Sequence, residues 1–148
     1  MRAVLQRVNA ASVTVDQRII GQIGVGVCAF VGVARDDEAR DASWLAEKVV
    51  EARLFEDADG KMNRSLRDVR GELLAVSQFT LLGDLRRGRR PSFDQAMEPE
   101  GARLLFEAFC EACRQSVGVQ TGQFRATMLV SLENQGPVTL LLDSKKTF

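Results

Sequence analysis

The 148-residue sequence contains no histidine and no tyrosine, and it has only three cysteines, three prolines and one tryptophan. The missing histidine excludes Ser-His-Asp and Cys-His catalysis, an imidazole general base and every histidine-bound metal centre. An excess of either charge is missing too. The 20 Lys+Arg balance 20 Asp+Glu, which argues against a protein that coats nucleic acid indiscriminately but leaves room for a local basic patch. No apolar run approaches a membrane span, and Met1-Arg2-Ala3-Val4-Leu5-Gln6-Arg7 breaks with charge and glutamine the apolar core that a signal peptide needs. The sequence therefore predicts a cytoplasmic protein without membrane contact, with Cys28, Cys110 and Cys113 reduced.

What is present is 45% apolar and 27% charged residues, the composition of an ordinary globular domain that buries roughly two-thirds of its unfolded surface. One domain is expected over residues 1–148, needing neither disulfide nor metal to fold. Alternation predicts strands at Arg2–Asn9, Ser12–Val15 and Arg18–Ile23, with Asp16-Gln17 as a hairpin turn. Val25–Val33 is apolar on both faces, as in a strand buried on both sides. From Asp36 the period lengthens: Ala42, Leu45, Ala46, Val49 and Ala52 predict a helix running to about Leu54. Glu56–Gly60 then makes a turn, and Glu72–Leu82 returns to strand. Pro99 suits a first helical residue, and Ala102, Leu105, Phe106, Phe109, Cys110, Cys113 and Val117 trace a second helix ending at Gly118. Ala126–Leu132 and Val138–Leu142 read as the last strands, joined by the loop Glu133–Pro137. The expected fold is α+β: mostly antiparallel, curved sheets forming an open barrel, with two or three helices packed outside.

Several segments could carry chemistry. Cys110-Glu111-Ala112-Cys113 has redox or zinc spacing, but zinc would need two further ligands and a redox pair would open a helix, so core packing is the better reading. Asp57-Ala58-Asp59-Gly60 resembles the opening of a calcium loop, yet the sixth and twelfth positions are Met62 and Asp68 where glycine and glutamate are required. No metal site is expected. Arg86, Arg87, Arg89 and Arg90 concentrate positive charge, which suits either a solvated loop or a phosphate contact. Ser77-Gln78-Phe79-Thr80 closes an apolar strand, with Gln78 and Thr80 on one face and Ser77 and Phe79 on the other. Gly136-Pro137 sits in a tight loop, where a turn or a cis peptide bond fits.

Two of these segments, Ser77-Gln78-Phe79-Thr80-Leu81 and Asn134-Gln135-Gly136-Pro137-Val138-Thr139, resemble the paired signature motifs of the D-aminoacyl-tRNA deacylases of the bacterial and eukaryotic type. Matching flanks include Met1–Val8, Gly60-Lys61-Met62-Asn63, Arg90-Pro91-Ser92-Phe93 and Leu142-Asp143-Ser144. The resemblance implies a homodimer without cofactor that hydrolyses the ester joining a D-amino acid, or glycine mischarged on alanine tRNA, to the terminal adenosine of tRNA. It implies that Ser77, Gln78, Phe79 and Thr80 form the catalytic segment. Gly136 and Pro137, joined by a cis bond, would enter the other subunit's site and reject L residues with their carbonyls, while Arg7 supports that loop.

An aminoacyl ester is already activated and carries a vicinal 2′-hydroxyl, so positioning and oxyanion stabilisation can replace a protein base. Thr80 would then orient the substrate; the rival is Thr80 as nucleophile, which requires a base the sequence does not offer beside it. The arginines from Arg86 to Arg90 would contact the acceptor stem through its phosphates. The chain departs from the family pattern at Leu82, where tyrosine is common, at Gln135, where aspartate is usual, and at Arg125, where a small residue is common. Three alternatives remain: a catalytically silent RNA-binding dimer, a purely structural interaction domain, and the related deacylase branch that keeps Gly-Pro trans and accepts an L-alanyl ester.

Overall fold

The computed structural model describes residues 1–147. It comprises β1 (Arg2–Val15), β2 (Arg18–Ile23), β3 (Gly26–Gly32), α1 (Ala39–Glu51), β4 (Arg53–Glu56), β5 (Met62–Ser65), β6 (Glu72–Ser77), a 3-10 turn (Phe79–Leu82), α2 (Pro99–Arg114), β7 (Gly118–Thr121) and β8 (Leu129–Asp143). The main sheet runs β2-β1-β3-β6-β7, with β8 on the other side of β1, and β2 curls back into contact with β6 and β7. The result is the open barrel expected, with both helices outside it. Among the described residues no helix is long and apolar enough to cross a membrane.

The first two predicted strands are one. β1 is continuous because both halves pair with β8, but its buried side changes midway: Ala3 and Leu5 pack toward the helices, whereas Ala11, Val13 and Val15 pack into the barrel. A register shift between Val8 and Ala10 produces the switch, and it is what breaks the alternation in the sequence. The hairpin to β2 turns at Asp16 and Gln17, whose φ values of 46° and 65° suit the tight two-residue turn that matches strand twist.

β3 and β6 are covered on both faces. Val27, Ala29, Leu73 and Ala75 meet the helices, while Cys28, Leu74 and Val76 fill the barrel, which explains their unbroken apolar sequence. The pairs β3–β6 and β6–β7 are parallel, because α1 and α2 lie between their members; only the remaining pairs are antiparallel.

Both helices stop earlier than their stripes suggest. α1 ends at Glu51, and Leu54 lies instead in a small β4–β5 hairpin whose buried Leu54 and Phe55 continue the apolar stripe into the same core. α2 begins at Pro99, as expected, with the Glu98 carboxylate accepting from the Glu100 and Gly101 amides. It ends at Arg114. Gly118 does not terminate it but opens β7, which joins the sheet edge beside β6.

Candidate active site

Ser77 is the last residue of β6, in register with Val31 of β3. Beyond it the chain does not continue as strand but tightens into the 3-10 turn, which the Gln78 amide fastens to the Val31 carbonyl at 2.7 Å. Gly32 makes room: a Cβ there would lie 2.6 Å from Leu82 Cδ2 and 2.9 Å from the Gln78 carbonyl oxygen. The turn leaves Phe79 and Thr80 exposed. The Phe79 ring stands edge-on to Phe93, with centroids 4.9 Å apart. Gln78 and Thr80 do meet, through a bond of 2.5 Å from Gln78 Nε2 to Thr80 Oγ1, but across a turn rather than along one face of a strand.

Beside this turn lies a cleft of about 500 Å³, bounded by Ser77, Gln78 and Phe79, by Met97 and Phe106 around α2, and by Phe124 and Met128 before β8. Among the described residues its walls carry no carboxylate, amine or thiol, and Arg125 is the single ionisable side chain on them. No residue there can therefore serve as a general base, and the Gln78 amide beside Thr80 cannot deprotonate a hydroxyl. Thr80 does not line the cleft and touches its wall through Gln78. The Phe79 and Thr80 amides open the 3-10 turn, where the first amides have no partner within it, and neither has a main-chain acceptor among the described residues.

Gly136 and Pro137 occupy a different place. They are not a turn between two strands, as their composition suggests, but an outward bulge within the continuous β8. Gln6 pairs with Thr139 and Val8 with Asn134, so five residues of advance on β8 oppose two on β1. Asn134 clips the bulge shut: its Oδ1 accepts from the Val138 amide at 2.8 Å and its Nδ2 donates to Thr139 Oγ1 at 3.1 Å. The Gly136-Pro137 bond is cis, and Gly136 has a φ of 126°, a conformation open to glycine and strained for any L side chain. A Cβ at Gly136 would also sit 2.8 Å from Val138 Cγ2.

Arg7 lies opposite the bulge with its side chain 7% exposed. It donates from Nε to the Gln135 carbonyl at 3.2 Å and from Nη1 to the Leu54 carbonyl at 2.7 Å. It thus reaches the loop through the Gln135 carbonyl and not through those of Gly136 and Pro137. Because the contact to Gln135 is through main chain, glutamine in place of aspartate leaves it intact.

The two signature segments are far apart within one chain. Arg7, opposite the bulge, is in register with Val27 and Leu73, whereas Ser77 is in register with Val31 and Ala3. Four residues along the strands and three strands across correspond to about 13 Å and about 14 Å. Neither Gly136 nor Pro137 lines the cleft.

The arginine run is divided. Arg86 binds the Asp84 carboxylate through Nε and Nη2 at 2.9 and 2.5 Å, and these bonds hold the Asp84 carboxyl down at about 2. Arg87, Arg89 and Arg90 are exposed and have no partner among the described residues. The three thiols are unpaired and buried, and burial pushes each up to about 12. Among the described residues no three His, Cys, Asp or Glu side chains cluster as metal ligands. Sequence reasoning missed the cleft walls contributed by Met97, Phe106, Phe124 and Met128, because no local pattern separates them from core residues, and it gave Asn134 no role.

A family model described as D-Tyr-tRNA(Tyr) deacylase matches residues 4–143. A D-aminoacyl-tRNA deacylase of Thermotoga petrophila is 54% identical over 149 residues, covering 100% of both chains. One of Fervidobacterium nodosum is 56% identical with the same coverage. A solved structure titled c-Myc DNA Unwinding Element Binding Protein superposes with a TM-score of 0.91 at 38% identity, over 97% of this chain and 98% of the other. Another, of a probable eukaryotic D-amino acid tRNA deacylase, shares the fold with a TM-score of 0.84 at 18% identity, over 95% and 97%.

Proposed function

The chain belongs to the D-Tyr-tRNA(Tyr) deacylase family and is a hydrolase of the D-aminoacyl-tRNA deacylase class, and from that premise we propose how its residues divide the work. The aminoacyl ester enters the cleft beside Ser77, Gln78 and Phe79. Water attacks the ester carbonyl, the unpartnered amides of Phe79 and Thr80 receive the developing oxyanion, and the ribose 3′-oxygen departs with a proton. The vicinal 2′-hydroxyl helps to orient or activate the water. The observation that carries this reading is a cleft without a titratable base beside a turn with unpartnered amide donors, an arrangement that stabilises charge rather than moving protons. Thr80 acts through Gln78, whose side-chain amide its hydroxyl accepts from and orients toward the substrate, and it is not a nucleophile.

The chirality filter is Gly136-Pro137 of a second copy of the chain. Two arguments favour a homodimer. The bulge cannot serve the cleft of its own chain across the separation given by the strand register. In addition, among the described residues β8 pairs only with β1 and exposes Leu129, Leu140 and Leu141, an unpaired apolar edge of the kind that solitary proteins avoid. Main-chain atoms at the filter exclude an L side chain and admit glycine or a D residue. Such a filter works by collision and needs no recognition of side-chain identity. Arg87, Arg89 and Arg90 meet acceptor-stem phosphates without selecting a sequence.

The test is ester loss from matched D- and L-aminoacyl-tRNA and glycyl-tRNA. D and glycyl esters should be hydrolysed and L esters spared, with Pro137→Ala narrowing the difference. Equal D and L rates in the wild type, or an unchanged ratio in Pro137→Ala, would refute the filter.

A further inference from the structure

We infer that Arg125 grips the phosphodiester on the 5′ side of the terminal adenosine, so that the enzyme binds the RNA end by one charge inside the cleft rather than only at the arginine loop. The inference rests on the cleft being the ester site. Among the described residues Arg125 is the only charged side chain on walls otherwise made of apolar groups, a hydroxyl and an amide. A lone cation there repels the substrate's α-ammonium, so it belongs at the opposite end of the bound nucleotide, where the one anionic group of an aminoacylated 3′ end is the phosphodiester.

The backbone supports a binding role. Arg125 adopts a φ of 63°, which costs an arginine energy that glycine would not incur. No ion pair or hydrogen bond from its guanidinium to the described residues offsets that cost, and the side chain is exposed. Its loop is nonetheless held firmly: the Gly122 amide donates to the Ala75 carbonyl at 3.1 Å and the Ala126 amide to the Gln123 carbonyl at 3.2 Å. The first of these bonds ties the loop to β6 two residues before Ser77. Arg125 is therefore carried by the same strand that carries the catalytic segment, which fixes the spacing between reacting carbonyl and phosphate.

The experiment compares wild type, Arg125→Gly and Arg125→Lys on three esters of one D-amino acid: aminoacyl-adenosine, the ribose ester of 5′-AMP, and aminoacyl-tRNA. Glycine accepts the local backbone, so the first variant removes the guanidinium without a folding penalty. The KM increase in Arg125→Gly should be about tenfold greater on the two phosphate-bearing esters than on aminoacyl-adenosine. Arg125→Lys should recover part of it. The slope of log KM against log salt on tRNA should also fall by about 0.7. Equal effects on all three esters, or no effect on any, overturn the phosphate contact. Ala102→Trp, which fills the cleft, separates this from the underlying reading: if it leaves turnover intact, the cleft is not the ester site, and the role of Arg125 falls with it.

Discussion

Replacing Arg7 with alanine tests whether the bulge on β8 is merely present or actively held. The guanidinium spans two main-chain carbonyls, Leu54 at 2.7 Å and Gln135 at 3.2 Å. Loss of the donor to buried Leu54 costs about 1–3 kcal/mol, and loss of the packed methylene stem adds about 0.8 kcal/mol per methylene. Relief of burying a cation offsets part of this. The Glu56 carboxylate, 3.9 Å away and 60% exposed, contributes little. The net destabilisation is about 2–4 kcal/mol, which for a chain of this length lowers Tm by about 5–15 °C.

The functional share is smaller. The bond to exposed Gln135 is worth about 1.5 kcal/mol as a charge-assisted contact, so releasing it raises displaced loop conformers about tenfold and should lower the D/L rate ratio by a similar factor. Thermal melting and paired D- and L-aminoacyl-tRNA hydrolysis, measured well below the lowered Tm, read the two effects separately. Arg7→Lys, which keeps the charge but not the fork, should fall between. A lowered Tm with an unchanged D/L ratio would show that Arg7 supports the fold and not the filter. An unchanged Tm would refute the accounting altogether.

Thr80→Val keeps the shape and removes the hydroxyl; a positioning role predicts a loss of about 10- to 100-fold in turnover, and rapid-quench trapping of an acyl-enzyme in the wild type would overturn it. The thiols of Cys28, Cys110 and Cys113, pushed up to about 12 by burial, are fully protonated at pH 8. They should therefore resist iodoacetamide in the folded protein and react when it is unfolded, with no activity lost on native treatment; rapid native labelling would contradict their burial.

The sequence disclosed periodic elements well and interruptions poorly. The α1 and α2 stripes and the doubly apolar β3 are local patterns, and each element is present where its period suggests, although both helices end before their stripes do. Ser77–Thr80 misleads because the turn that replaces the strand is set by Gly32, far away in sequence, through close approach to Gln78 and Leu82. Asn134–Pro137 misleads differently. Its composition is that of a turn, but its two flanks pair with the same strand, and no local signal distinguishes a bulge from a hairpin. The missed β4–β5 and β7 are short and follow helices whose apolar stripes continue into them. For the site, both signature segments were legible by resemblance, whereas the cleft walls come from α2 and the approach to β8, brought together only by folding.

The bulge has a consequence for how the protein can change. Its five residues of advance against two on β1 are odd in number, so the two halves of β8 bury opposite sides: Leu142 packs with the helices, while Val130 and Leu132 pack with the barrel. The unpaired loop is where this change of side is taken up, while the flanks keep their pairing with β1. Insertion or deletion of one residue at Gly136-Pro137 would therefore do more than resize a loop: it would break the fixed spacing by which Asn134 accepts from the Val138 amide. Fine adjustment of the loop accordingly falls to substitutions in its supports, Arg7 and Asn134, rather than to its length.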